Sequence, residues 1–85
     1  MAYVVEFAPG AEREFAKLAG EVQFRLRPRI DALADNPRPP RARKLKGADE
    51  LWRIRVGDYR VVYEIRDKVL LVLIIRIAHR REAYR

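Results

Sequence analysis

From Leu51 to Ile65 the chain alternates apolar and polar positions with a period close to two on either side of one turn signal, and after a second turn signal comes a continuous apolar run. Residues 51–56 and 59–65 flank Gly57-Asp58, a two-residue loop with glycine first, which suits a type I′ or II′ hairpin turn. That turn pairs Val56 with Tyr59, Arg55 with Arg60, Ile54 with Val61, Arg53 with Val62 and Trp52 with Tyr63. Successive side chains in a strand point to opposite faces. Trp52, Ile54, Val56, Tyr59, Val61 and Tyr63 are therefore expected on one face, and Arg53, Arg55 and Arg60 on the other. Trp52 is read as core. A third strand, residues 69–78, is apolar on both faces and reads as central. The turn before it, Arg66-Asp67-Lys68, spans two or three residues. One residue of difference reverses every side chain, so the face of Arg76 stays open.

Ahead of this meander, residues 3–7 (YVVEF) predict a short edge or near-edge strand. Pro9 suits the first turn of a helix, where its missing N–H does no harm. Ala11, Phe15 and Leu18 make a stripe at helical spacing over residues 11–18, and Ala19-Gly20 reads as its stop. A second helix is predicted over residues 21–34, with the stripe Val22, Leu26, Ile30 and Leu33. Pro28 interrupts it, which predicts a kink rather than a break, because the stripe continues across it. The two helices form an antiparallel hairpin whose apolar stripes cover one face of the sheet. Asn36–Pro40 (NPRPP) starts a loop in which five residues from Arg38 to Lys46 are basic.

The pattern gives one small α+β domain over residues 1–85: an N-terminal strand, a helical hairpin, then a three-stranded antiparallel meander with helices on one face. Charge changes the picture most. The net charge is +7. Residues 1–35 carry five basic and six acidic side chains, a balance of −1, and residues 36–85 carry fourteen and six, a balance of +8. A basic half on a small domain points to a polyanion, and nucleic acid is the usual one. An acidic protein or an anionic membrane surface is the competing partner, and no basic amphipathic helix with a bulky apolar face favours the membrane. The sequence has no cysteine, which fits a reducing cytosol. It has no apolar run of membrane-spanning length, and MAYVVEF lacks the layout of a signal peptide, so a cytoplasmic protein without a membrane partner is expected.

Candidate chemistry is narrow. There is no Ser/His/Asp set, no metal-ligand spacing and no glycine-rich phosphate loop, so no metal or small-molecule cofactor is expected. An enzyme built on this chain works with cations and a phenol. Two like charges placed opposite each other on a sheet destabilise it; a bound anion explains Arg55 opposite Arg60, and splaying into solvent is the other explanation. The terminal HRREAYR supplies one histidine, three arginines and a tyrosine.

KLKG, then LWRIRVGDYRVVYEI, then the apolar strand and HRREAY together resemble the RelE/ParE superfamily of toxins from type II toxin–antitoxin systems. The resemblance covers nearly the whole chain, and its order of elements is that family's. It implies a toxin neutralised by a small cognate antitoxin. In the RelE branch it implies cleavage of messenger RNA in the ribosomal A site, so that ribosome and mRNA are partners. In the ParE branch it implies inhibition of DNA gyrase without catalysis; an inactive relative that only binds antitoxin is the third possibility. For the RelE branch the family's functional positions fall on Arg53, Arg55, Arg60, Arg80 and Tyr84. Arg60 and Arg80 then relieve charge on the scissile phosphate as the 2′-OH attacks. Arg53 and Arg55 orient the RNA backbone, and Lys44, Lys46 and Arg81 extend that surface. Arginine holds its proton at any accessible pH, so the base is Tyr84, with His79 as its substitute.

Overall fold

The computed structural model describes residues 2–47 and 50–79. In chain order these form β1 (Val4–Phe7), α1 (Pro9–Ala16), α2 (Gly20–Asp31), β2 (Arg43–Lys44), β3 (Leu51–Val56), β4 (Tyr59–Arg66) and β5 (Leu71–His79). Single 3₁₀ turns follow α2, at Ala32–Ala34, and join β4 to β5, at Asp67–Val69. All five strands lie in one sheet, ordered β1-β5-β4-β3-β2. β1 runs parallel to β5, and every other pair is antiparallel. The meander is therefore extended on both sides: by β1, and by a two-residue strand within what reads in the sequence as a loop.

Local chemistry fixes the β3–β4 hairpin. Gly57 sits at φ +60° while Asp58 keeps a negative φ, the requirement of a type II′ turn. The pairing runs from Val56 opposite Tyr59 to Trp52 opposite Tyr63, in the expected register. Along β4–β5 the register shifts between Val62 and Tyr63: Val62 faces Arg76 but Tyr63 faces Ile74. Ile75 is thus an extra residue on β5, a bulge that re-aims the end of the strand. It settles the side taken by Arg76, which shares the face of Val62.

The helices differ from expectation in one respect. α1 begins at Pro9 but ends at Ala16, closed by Lys17 N–H to Arg13 O and Leu18 N–H to Phe15 O. That closure needs no left-handed residue. Gly20 therefore does not stop α1; it opens α2, with Ala19 extended at ψ 148° as the cap. The Gln23 amide donates to Phe15 O at 2.8 Å and ties the two helices together. α2 runs through Pro28 without a break.

The core lies between the helices and one face of the sheet. Ala11, Leu26, Ile30 and Leu33 meet Ile54, Val61, Tyr63, Val72 and Ile74, all at most 2% exposed. Val22, Phe15 and Leu18 of the predicted stripes pack at its margin, as does Trp52. The Tyr63 hydroxyl, buried with its ring, donates to Pro37 O at 2.7 Å. Burial pushes that phenol up to about 12. The proline-rich loop is pinned a second time at the surface. Arg38 meets Asp67 through both of its terminal nitrogens, at 2.8 and 3.2 Å, and Tyr3 donates to the same carboxylate at 2.6 Å. Together they hold the Asp67 carboxyl below its ordinary value.

Candidate nucleic-acid interface

Strand alternation builds the candidate site on the sheet face away from the helices. Ile54, Val56, Val61 and Tyr63 turn inward, so Arg53 and Arg55 of β3 and Arg60 of β4 turn outward. Arg55 stands directly opposite Arg60, and Arg53 opposite Val62. The strands on either side of this hairpin add two arginines that the sequence reading leaves out of the site. Arg43 of β2 lies opposite Arg53, and Arg76 of β5 lies opposite Val62. The result is two adjacent rows across the strands: Arg43, Arg53, Val62 and Arg76 in one, and Arg55, Arg60 and Ala78 in the next. Neighbouring strands are roughly 4.8 Å apart, so the longer row spans about 14 Å.

Contacts at the two ends of the longer row hold Arg43 and Arg76. The Arg43 guanidinium donates to Ala42 O at 3.2 Å and Pro40 O at 3.4 Å. The Arg76 Nε lies 3.7 Å from Glu14 Oε2. The other Glu14 oxygen accepts the Ile77 N–H at 2.8 Å. The reason lies in the topology: β1 pairs with β5 only as far as Ile74. Beyond that point no strand among the described residues pairs with the outer edge of β5, and the Glu14 carboxylate of α1 takes a donor left over from the ladder. Farther along the open face the arginine rows give way to a mixed stretch, in which Leu51, Leu71, Leu73 and Val4, the last 58% exposed, alternate with Glu6, Glu64 and Arg66. The open face is thus cationic at one end and mixed apolar and charged at the other.

Two expected site residues fall elsewhere. His79 pairs with Tyr59, one position beyond the Arg60–Ala78 pair, and alternation turns it to the helix side. Its ring meets Tyr59 edge-on, with centroids 5.2 Å apart and an interplanar angle of 89°. Lys44 pairs with Trp52 and also turns to the helix side, whereas its neighbour Arg43 faces the arginines. The structure therefore does not bring His79 or Lys44 to the arginine rows. Lys46 is exposed in the turn after β2. Arg80, Arg81 and Tyr84 lie outside the described residues. A two-residue strand of charged side chains carries no periodic signal, which is why Arg43 escapes a sequence reading; Arg76 escapes because only the bulge fixes its side.

Such a face presents fixed, forked donors at strand spacing, an arrangement suited to successive phosphates of an extended polyanion. Among the described residues no three His, Cys, Asp or Glu side chains gather as a metal site. Among the same residues no helix is long and apolar enough to cross a membrane.

Comparison with known proteins agrees with this architecture. The family model for the ParE toxin of the type II toxin–antitoxin system parDE matches residues 5–84. The mRNA interferase toxin RelE of Escherichia coli strain K12 is 29% identical over 85 residues, covering 98% of this chain and 88% of that protein. A chain of the archaeal RelE–RelB complex from Pyrococcus horikoshii OT3 superposes with a TM-score of 0.82 at 28% identity, covering 94% of this chain and 97% of the other. The isolated E. coli RelE toxin superposes at 0.83 with 28% identity, covering 92% and 84%. The sheet with its arginine face and helical hairpin is accordingly that of a toxin from a type II toxin–antitoxin system, and the chain belongs to the RelE/ParE toxin superfamily.

Proposed function

We propose that this toxin is a ribosome-dependent mRNA endonuclease that stops translation by cutting the message in the A site. The observation that carries the reading is the convergence of Arg53, Arg55 and Arg60 on one open sheet face. Attack of an RNA 2′-OH on its own phosphate builds negative charge on the phosphoryl oxygens. Preorganised cations relieve it, and one such donor is typically worth ~10²–10³ in rate. Arg60 has that role, joined by Arg80, while Arg53 and Arg55 hold the flanking backbone bidentately. Tyr84 takes the 2′-OH proton; His79, turned to the helix side with Tyr59, is the poorer substitute. Lys46 and Arg81 extend the RNA surface. The ribosome supplies the remaining orientation, which can remove several kcal/mol of barrier, so free RNA is left uncut.

The working partners are the ribosome with its message and a cognate antitoxin, and the setting is the cytoplasm. The P. horikoshii relative is a RelE–RelB complex. An acidic or amphipathic segment matches an open face that sets the arginine rows beside leucine and valine side chains. The match to a ParE family model supports a second reading, gyrase inhibition without catalysis. Induction in a bacterial host followed by mapping of message 5′ ends separates the two. The nuclease reading expects cuts phased to codons, lost by at least a hundredfold in Arg60→Ala. DNA-damage signalling without cuts, unchanged in Arg60→Ala, establishes the gyrase reading instead.

A further inference from the structure

Resting on the nuclease reading, we infer that the cleft between α1 and the end of β5 is a nucleobase pocket that receives guanine from the RNA strand held by the arginine rows. The cleft measures about 350 Å³ and is lined by Glu14, Lys17, Leu18, Tyr59, Ile77 and His79. That volume lies in the range of small-ligand sites, ~300–1,000 Å³, and leaves room for a purine. Its walls suit a base: the perpendicular Tyr59 and His79 rings and the side chains of Leu18 and Ile77 offer apolar surface.

The polar group in it is already oriented. The Ile77 N–H fixes one Glu14 oxygen, yet the Glu14 side chain stays 37% exposed, with acceptor positions still open on both oxygens. A carboxylate offers two parallel acceptors. Guanine alone among the four bases presents two adjacent donors on one edge, N1–H and the 2-amino group. Lys17 at the rim suits the phosphate that the nucleotide carries.

Location links the cleft to the arginines. His79 and Tyr59 are one residue beyond the Ala78–Arg60 pair, on the opposite face at the same end of the sheet. Between the two faces runs the β5 edge that β1 leaves uncovered, and there Arg76 and Glu14 meet. An RNA strand crossing that edge places a phosphate at Arg60 or Arg76 and the adjoining base in the cleft.

The test is nucleotide binding by the full chain, followed by backbone amide chemical shifts without ribosomes. Guanosine 5′-monophosphate is expected to shift Ile77, Leu18 and Tyr59, and to bind roughly tenfold more tightly than the adenosine, cytidine and uridine monophosphates, the discrimination of one bidentate contact. Glu14→Gln keeps an acceptor for the Ile77 N–H and removes the guanine preference. Lys17→Met, outside the core, weakens all four nucleotides alike. Equal binding of the four, or shifts at Arg53, Arg55 and Arg60 with none at Leu18 and Ile77, overturns the pocket whatever the toxin cleaves. Guanine binding in the cleft by a toxin that cuts no message keeps the pocket and ends the nuclease reading.

Discussion

At the scale of single residues, Tyr63 joins the sheet to the loop that leads into β2. Its ring fills the core, and its hydroxyl satisfies Pro37 O, which is buried along with it. Tyr63→Phe keeps the ring and strands that carbonyl, which costs about 1–2 kcal/mol. The comparison is made by chemical denaturation near neutral pH. A titration adds a second check. The folded phenol titrates near 12 against an ordinary value of 10. A raised value means the neutral form is favoured in the fold, so this stabilisation is complete below about pH 10 and is lost as pH rises through 12. Tyr3, raised by its bond to Asp67, acts in the same direction. The portion of the alkaline decline that disappears in Tyr63→Phe is therefore the measure of Tyr63, and an identical decline in both proteins would refute the assignment.

At the scale of elements, the arginine site depends on a hairpin whose geometry glycine allows. Gly57 at φ +60° occupies the left-handed region, where a side chain costs roughly 1–2 kcal/mol. A Cβ there also comes within 3.2 Å of Arg25 Nη1, the flexible end of a side chain that yields easily. Backbone conformation, not crowding, then sets the penalty. Gly57→Ala is expected to lower the unfolding free energy by about 1–2 kcal/mol, and combining it with Arg25→Ala recovers little. Recovery of most of the loss in the double variant would mean that the contact dominates. This hairpin is also what the sequence states most clearly. A two-residue turn fixes register, register fixes faces, and so Arg53, Arg55 and Arg60 are placed from sequence pattern alone. Where no such constraint acts, pattern is silent. β1 pairs with β5 in parallel across the whole chain, and Arg43–Lys44 is too short to show a period. Gly20 suits a helix stop and a helix start equally, and the closing hydrogen bonds of α1 decide between them. The bulge at Ile75 sends Arg76 outward and His79 inward, an outcome set by the ladder as a whole. Glu14 reads as one more surface acid in a helix; only the uncovered edge of β5 gives it work.

At the scale of the whole molecule, the +8 balance of residues 36–85 is made directional by the sheet. Arg43, Arg53, Arg55, Arg60 and Arg76 come from four strands and meet on one face, while Lys44 is turned from it. Each cation that meets a phosphate of single-stranded RNA releases a counterion, and log K then falls with log salt at about −0.7 per contact. Engagement of three to five of these arginines gives a slope of roughly −2 to −3.5 for a short RNA whose 2′-OH groups are blocked. Arg43→Ala and Arg76→Ala, at the two ends of the longer row, are each expected to make the slope shallower by about 0.7 and to weaken binding at low salt. Lys44→Ala, beside Arg43 in sequence and on the same short strand, leaves the slope unchanged. Pooled charge without direction makes the opposite forecast: all three replacements remove one positive charge and have equal effects. The contrast between Arg43 and its neighbour therefore separates a phosphate track laid across the strands from a basic protein that attracts RNA from every side, and equal losses in the two variants would place the RNA off this face.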